Sequence, residues 1–388
     1  MDVAIILDNN VSKVQVQTFE VIDESSSDIR FTAFIGEKNK SKTADINLSK
    51  IFLNHRRELF QAFLNPTLAI NRLRENKFPR MDYYYFSMRE YLRGFDAVYT
   101  QDITRSLYTV ASLKRFYNYK IVLRWWENLP YKRLFSEKDA YIAKMSLDKV
   151  DLFLPATEMA RDALLLEGIP EEKIVHIYPG IDIDRFTPAN QASGYRAKFS
   201  IPNDRIVILF VGRLVAHKGL YTLLWAAKLL EKMSLLNKLI FVIVGAGGQR
   251  PLMEKMADEM GIRNSFVFTG AVPYDTIPAA YQMSDIFVLP SIMKENIQEQ
   301  FGLVVAEAMA CGKPVVGSAV GGIAEVIGNC GITVPPGDYI SLANALKELA
   351  SNLELRKELG AKARKRAEEL FSSTKNSQRL PEIFRKLQ

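Results

Sequence analysis

Two segments of the chain hold side chains whose types and spacing could do chemistry. In VGRLVAHKGL, residues 211–220, Arg213 and Lys218 stand on a glycine-flanked turn that leads into an amphipathic stretch. An arginine can grip an oxyanion with two parallel N–H groups, and a lysine supplies a compact positive charge. In EQFGLVVAEAMACGKP, residues 299–314, Gly302 opens a helix expected from about Leu303 to Ala310, which Gly312 and Pro314 close. Glu299 falls in the loop before that helix, and Glu307 lies one to two turns inside it. A helix start preceded by glycine offers free backbone N–H groups and about half a positive charge, which suits a phosphate or a sugar hydroxyl. A carboxylate beside it would accept bonds from hydroxyls and repel a bare phosphate unless cations stood near. Taken singly, each of these residues reads as an ordinary surface side chain. Brought together, they make a pocket for a diphosphate with hydroxyl acceptors beside it, the chemistry of a nucleotide sugar.

The surrounding sequence must bring them together. VILFVG (207–212), LIFVIVG (239–245), SFVFTG (265–270), DIFVLP (285–290), KPVVGS (313–318) and GITV (331–334) are short apolar runs ended by Gly, Pro or Ser, so each reads as a strand buried on both faces. Between two of them Leu220, Leu223, Leu224, Ala227 and Leu230 form a helical stripe. Strand and helix in alternation imply a parallel sheet with right-handed crossovers, and such sheets bind ligands beyond the carboxyl ends of their strands. The first half alternates less cleanly. VAIIL (3–7), FTAFIG (31–36), AVYT (97–100), KIVLRW (120–125), DLFLP (151–155) and KIVHI (173–177) read as strands, and segments near 49–64, 104–117 and 157–167 read as helices. A linker is expected between Pro179 and Phe199. A length of 388 residues suits two domains with a cleft between them. The fold class is therefore α/β, with two Rossmann-like domains facing across that cleft: residues 1–182, with a C-terminal helix over 371–388 packing back on them, and residues 183–370.

The motifs in their order resemble a known family. FVGRL followed by KGL, the glycine turn VGAGG, DIFVLPS and EQFGLVVAEAMACGKPVVGSAVGGIAEVI are similar to the nucleotide-binding domain of retaining, two-domain (GT-B fold) glycosyltransferases of the group-1 superfamily. The relatives include glycogen synthase and mannosyltransferases, and the two glutamates eight residues apart match the family's signature pair. VDLFLPATEMARDALLLEGIPEEKIVHIYPGIDIDRFTP is similar to its domain-crossing stretch, so the resemblance covers about Val150 to Leu370. It implies that Arg213 and Lys218, beside Gly212, neutralise the donor's diphosphate, and that Glu299 sits at the donor sugar. The backbone of Phe301, Gly302 and Leu303 would reach sugar hydroxyls and phosphate. Glu307 would accept the ribose hydroxyls, and the base would lie near Ala271 and Val272.

The N-terminal half departs from the family twice. Many members have a glycine pair after the first strand; ILDNNVSKV has none, and Asn9 and Asn10 are the candidate substitutes. Many also carry a histidine near the reacting sugar, and the matching segment VLRWWENLPY puts Trp126 and Glu127 in its place. Glu127 is then the candidate to orient or deprotonate the acceptor hydroxyl, and Trp126 a stacking wall for a sugar. Trp125 and Trp126 read equally well as core, and Glu127 as a loop carboxylate.

The remaining features narrow the class. Net charge is +7, and from Lys50 to Arg133 there are 16 basic against 7 acidic residues. Aromatics interleave with that charge in FPRMDYYYFSMREYLR (78–93) and KRFYNYK (114–120), which suits an anionic membrane surface or a lipid-phosphate acceptor. No nucleic-acid motif accompanies them. Two cysteines, Cys311 and Cys330, suit a reducing compartment, and Cys311 reads as tight packing at a helix end. His55, His176 and His217 have no ligand spacing, so no metal is expected. Asp182 and Asp184 form an Asp-x-Asp, but in the expected linker. VGAGGQR is a poor dinucleotide motif, because Arg250 replaces its third glycine. No apolar run is long enough for a membrane helix, and no basic region precedes the short apolar N-terminus, so the expected place is cytoplasmic, with peripheral contact at the inner face of the membrane.

The combined expectation is a metal-independent, retaining enzyme that moves a hexose from a UDP-type or GDP-type sugar to a hydroxyl of a glycan, lipid-linked or small-molecule acceptor, without a further cofactor. A nucleotide-sugar epimerase or a glycogen-type synthase of the same fold, and a non-catalytic sugar-nucleotide-binding protein, are the alternatives.

Overall fold

The computed structural model describes residues 1–7, 19, 28–36, 47–53, 88–89, 91–188 and 192–387. The chain forms two units, one of Met1–Gly180 with Ser373–Gln388 and one of Ile181–Ser372.

The first unit is built on six parallel strands: β1 (Asp2–Leu7), β2 (Arg30–Gly36), β3 (Ser49–Leu53), β4 (Ala97–Gln101), β5 (Lys120–Trp125) and β6 (Leu152–Pro155). Their order is β3-β2-β1-β4-β5-β6. Strand β1 shows why its run is continuously apolar. Val3, Ile5 and Leu7 join one core with Phe31, Tyr99 and Phe19, while Ala4 and Ile6 join another with Phe34, Leu107 and Leu164. Helices α1 (Arg105–Leu113), α2 (Glu137–Ser146) and α3 (Glu158–Leu166) each start at a hydroxyl cap, Thr104, Ser136 and Thr157 respectively, which accepts an N–H from the first turn.

Two expected elements of this unit differ. Residues 49–53, read as the start of a helix, form β3 instead, because pairing with Thr32–Gly36 of β2 decides the conformation of so short an apolar run. Residues 173–177, read as a strand, form a turn at Glu171–Lys173 followed by a single bridge from Ile174 to Phe153. Val175 and Ile177 still donate to the carbonyls of β6, but the Ile177 carbonyl accepts from the Arg124 guanidinium at 2.7 Å, so no ladder continues.

The second unit repeats the plan with β7 (Ile206–Val211), β8 (Leu239–Val244), β9 (Phe266–Gly270), β10 (Ile286–Leu289), β11 (Val315–Ser318) and β12 (Ile332–Val334), in the order β12-β11-β10-β7-β8-β9. Its helices are α4 (Ala192–Lys198), α5 (Leu220–Lys232), α6 (Arg250–Glu259), α7 (Ile277–Met283), α8 (Leu303–Ala310), α9 (Ile323–Ile327), α10 (Tyr339–Ser351) and α11 (Leu353–Arg366). Counted from the first strand of each unit, both sheets run 3-2-1-4-5-6, the doubly wound order whose ligand crevice opens where the order reverses. That point lies between β1 and β4 in the first sheet and between β7 and β10 in the second.

The expected linker is not a free tether. Phe186 is fully buried, with its ring 5.9 Å from Tyr274 and 5.8 Å from Tyr281, and α4 occupies Ala192–Lys198. Helix α12 (Ser373–Arg385) belongs to the first unit, where Leu380, Ile383 and Phe384 fill the core beside Phe31.

Candidate functional site

In the second unit the reversal point brings the loop after β7 against the loop after β10. Contact this close needs glycine. A Cβ on Gly219, which has φ +69°, would fall 1.7 Å from the Pro290 carbonyl oxygen, and one on Gly321 would fall equally close to that of Glu299. Two backbones therefore pin the residues in question. The Glu299 carbonyl also accepts the Gly322 N–H at 3.0 Å, and the His217 carbonyl accepts that of Ile292 at 2.8 Å.

Within this frame Lys218 and Glu299 form an ion pair through Nζ and Oε2, and their side chains are only 12% and 15% exposed. Ser291 places its hydroxyl 3.4 Å from the same carboxylate oxygen. Arg213 stands exposed on the same loop as Lys218, with no ion pair among the described residues. Burial, then the neighbouring Lys218 charge, holds the His217 imidazole below its ordinary range. Phe301 is buried and packs edge-on against Phe371 at 5.5 Å, which fixes the chain just before Gly302 and the start of α8.

Glu307 faces inward from α8 and is 7% exposed. The Tyr281 hydroxyl donates to its Oε2 at 2.7 Å, and Tyr274 stands close enough to feel its charge. Burial pushes the Glu307 carboxyl up to about 7, against the pull of the Tyr281 bond, and pushes the Tyr281 hydroxyl up as well. Ala271 is exposed and Val272 half-buried immediately after β9, on the loop that continues to Tyr274. The structure thus pairs Lys218 with Glu299, sets Gly302 at the start of α8 close to the Glu299 side chain, and carries Gly212 and Arg213 on the Lys218 loop, while Tyr274 relates Glu307 to the 271–274 loop. Such a place can hold an anion on Arg213, Lys218 and the α8 start, and hydroxyls on the two carboxylates.

The first unit has its own cluster at the corresponding edge. Asp102, just past β4, takes a left-handed backbone with φ 47° and accepts the Trp126 N–H at 2.9 Å. Desolvation raises its carboxyl to about 7, with Glu127 adding to the rise and Arg124 and Lys132 opposing it. Glu127 is engaged on both oxygens, by Lys132 at 2.5 Å and by the Leu129 N–H at 3.1 Å. Trp125 is core, packed against Phe153, whereas Trp126 is half-buried, with the Arg124 guanidinium 4.9 Å over its ring. Asn9 and Asn10 lie outside the described residues, as do His55 and most of the 78–93 segment.

Sequence reasoning did not single out Asp102, Ser291 or Tyr281. Asp102 and Ser291 carried a usable signal, since each is a polar residue one or two positions past a strand at a reversal point. Tyr281 carried none, because an aromatic at helical spacing reads as core. Asp182 proves structural: its Oδ1 accepts the Arg185 N–H at 3.0 Å and caps that turn. In the 114–120 segment Lys114 pairs with Asp151, while Arg89 and Arg115 lie over the Phe116 ring at 4.9 and 4.6 Å. No helix among the described residues is long and apolar enough to cross a membrane.

Comparison with known proteins bears on the family and the fold. The family described as Glycosyl transferases group 1 matches residues 193–366, and Glycosyltransferase Family 4 matches residues 52–185. An uncharacterized glycosyltransferase of Methanocaldococcus jannaschii is 35% identical over 209 residues, 52% of this chain and 51% of the relative. A D-inositol 3-phosphate glycosyltransferase of Streptomyces bingchenggensis is 33% identical over 231 residues, 56% of this chain and 49% of the relative. The chain thus spans about half the length of the curated relatives it matches. Among solved structures, Anabaena HepE in complex with UDP and glucose superposes with a TM-score of 0.79 at 18% identity, covering 99% of both chains. Sucrose-phosphate synthase of Thermosynechococcus elongatus gives 0.76 at 21%, covering 100% of this chain and 99% of that one. At these identities the likeness shows the fold, α/β of the GT-B type, and nothing finer.

Proposed function

Because the chain belongs to the group-1 glycosyltransferase superfamily, we propose that it transfers a hexose from a nucleoside-diphosphate sugar to a hydroxyl acceptor, with retention at the anomeric carbon and without a metal ion. The observation that carries this reading is the Lys218–Glu299 pair beside Arg213 and the start of α8, at the point where the strand order reverses. Cleavage at the anomeric carbon builds positive charge on the sugar and negative charge on the departing diphosphate. Arg213, Lys218 and the N–H groups at the start of α8 meet that negative charge, and they stabilise the transition state more than the bound substrate. Two side-chain cations at the diphosphate take the place a divalent ion would otherwise fill.

In this reading Glu299 takes sugar hydroxyls, Glu307 takes the ribose, and Ala271 and Val272 border the base. A uridine or guanosine diphosphate donor is favoured; the HepE structures hold UDP, UDP with glucose and UDP-glucose. Asp102, Trp126 and Glu127 in the first unit serve the acceptor, a glycan, a lipid-linked molecule or a small molecule at an anionic membrane face. Of the two carboxylates there, Asp102 is the better proton acceptor, since Glu127 is already held by Lys132.

A thermal-shift panel tests this: UDP, GDP, ADP, CMP and their sugars, in buffer with chelator. At 100 times its dissociation constant a true donor adds about 2.7 kcal/mol, enough to raise the melting point by several degrees. If no nucleotide moves the melting point, the reading fails.

A further inference from the structure

Lys218 and Glu299 are assigned above to different parts of one donor, the diphosphate and the sugar, yet in the protein alone they hold each other. Their loops are locked backbone against backbone at Gly219–Pro290 and Gly321–Glu299, and Ser291 holds the shared carboxylate oxygen from a third side. With both side chains mostly withdrawn from water, a charge that loses its partner here is strongly penalised.

We infer that the Lys218–Glu299 pair discriminates the intact sugar nucleotide from the free nucleoside diphosphate, with Glu299 the residue that disfavours the sugarless form. The inference rests on the function proposed above and deepens it. A diphosphate drawn to Arg213 and Lys218 competes with Glu299 for the ammonium and brings more negative charge beside the carboxylate. When a sugar is attached, its hydroxyls donate to Glu299 as Lys218 turns to the phosphate, so both charges stay satisfied. When the sugar is absent, Glu299 faces the phosphate without the donors that the sugar would bring, and with Ser291 in place of the ammonium. The same exchange favours release after transfer, because the departing sugar removes the donors that had replaced Lys218. Selectivity of this kind comes from an unfavourable contact with the wrong ligand rather than a better contact with the right one.

Calorimetric titration of wild type and Glu299→Gln with UDP, UDP-glucose, GDP and GDP-mannose is the test. Glu299→Gln keeps the shape and removes the charge, so it should bind the diphosphate about tenfold tighter than wild type does, and the sugar nucleotide no tighter. An unchanged or weaker diphosphate affinity in a folded variant overturns the inference and leaves the function reading intact. If wild type binds none of the four, and neither ADP, CMP nor their sugars, the function reading falls and takes this one with it; if it binds the ADP compounds instead, ADP and ADP-glucose serve in the same comparison. Lys218→Gln supplies an independent arm should Glu299→Gln not fold. It exposes Glu299 to the ligand, so it should weaken the diphosphate more than the sugar nucleotide. Equal weakening of the two overturns the inference.

Discussion

The two sheets have one strand order, yet the loops at their reversal points are built on opposite principles. In the second unit the edge between β7 and β10 holds paired opposite charges, Lys218 and Glu299, on loops fixed by glycine contacts. In the first unit the edge beside β4 holds Asp102 in a left-handed backbone, answered by the Trp126 backbone N–H and, among the described residues, by no ion pair. One site is a pair of opposite charges in contact. The other keeps a carboxyl near the point of gaining or losing a proton. Identical topology places both, and the loops alone decide the chemistry.

The largest effect should come from the paired site. If the proposed function holds, Lys218→Ala removes a cation from the departing diphosphate and strands Glu299, and the expected loss in kcat/KM is about 10²–10³. Steady-state transfer assays with the donor found by thermal shift measure it. A loss below about tenfold would mean that the second edge does not work by charge neutralisation, and the contrast between the edges would dissolve.

Next in size is the unpaired site. Asp102→Asn should lower turnover by about 10² if Asp102 accepts the acceptor proton, whereas Glu127→Gln should cost only a few-fold. The pH profile separates a chemical role from a structural one. With the Asp102 carboxyl raised to about 7, the wild-type rate should climb as pH rises through that value, and the climb should vanish in Asp102→Asn. If Glu127→Gln is the worse variant, the acceptor role returns to the residue that the sequence favoured.

That contrast also explains what could be read in advance. Strands β7 to β12 were visible because each run is mostly apolar and is ended by a glycine, proline or serine, although β9 and β12, at the two edges of the sheet, are only partly buried rather than buried on both faces; the order of motifs around Arg213, Lys218, Glu299 and Glu307 points to the loops between them. The pairing of Lys218 with Glu299 was not visible, since 81 residues separate them and only the β7–β10 adjacency brings them together. Asp102 was legible by position alone, as a polar residue one place past β4 at a reversal point. Its raised carboxyl comes from desolvation, which leaves no pattern of residue types. Strand β3 was misread because five residues of mixed polarity have no helical or extended signal of their own, and pairing with β2 settles the matter.

The last predicted effect, on stability rather than turnover, concerns Glu307, which makes the second unit resemble the first in one respect: it too contains a carboxyl raised to about 7. Its ordinary value is 4.5, so folding favours the protonated form. The stability this gives is fully present below the ordinary value and is lost as pH rises through about 7. Glu307→Gln, which stays neutral and can still accept from Tyr281, should therefore gain on wild type by on the order of 3 kcal/mol between about pH 5 and about pH 8, a shift of several degrees in melting point. Denaturant or thermal melts across that range measure it. Parallel curves would mean that Glu307 is ionised in the empty site, already set as an anion for a ribose diol. The expected gain of Glu307→Gln with rising pH would mean that the ribose hydroxyls, by donating to the carboxylate, must expel a proton as they bind. The second edge would then combine a charge exchange at Lys218 and Glu299 with a proton release at Glu307, and its contrast with the first would narrow to the paired charges alone.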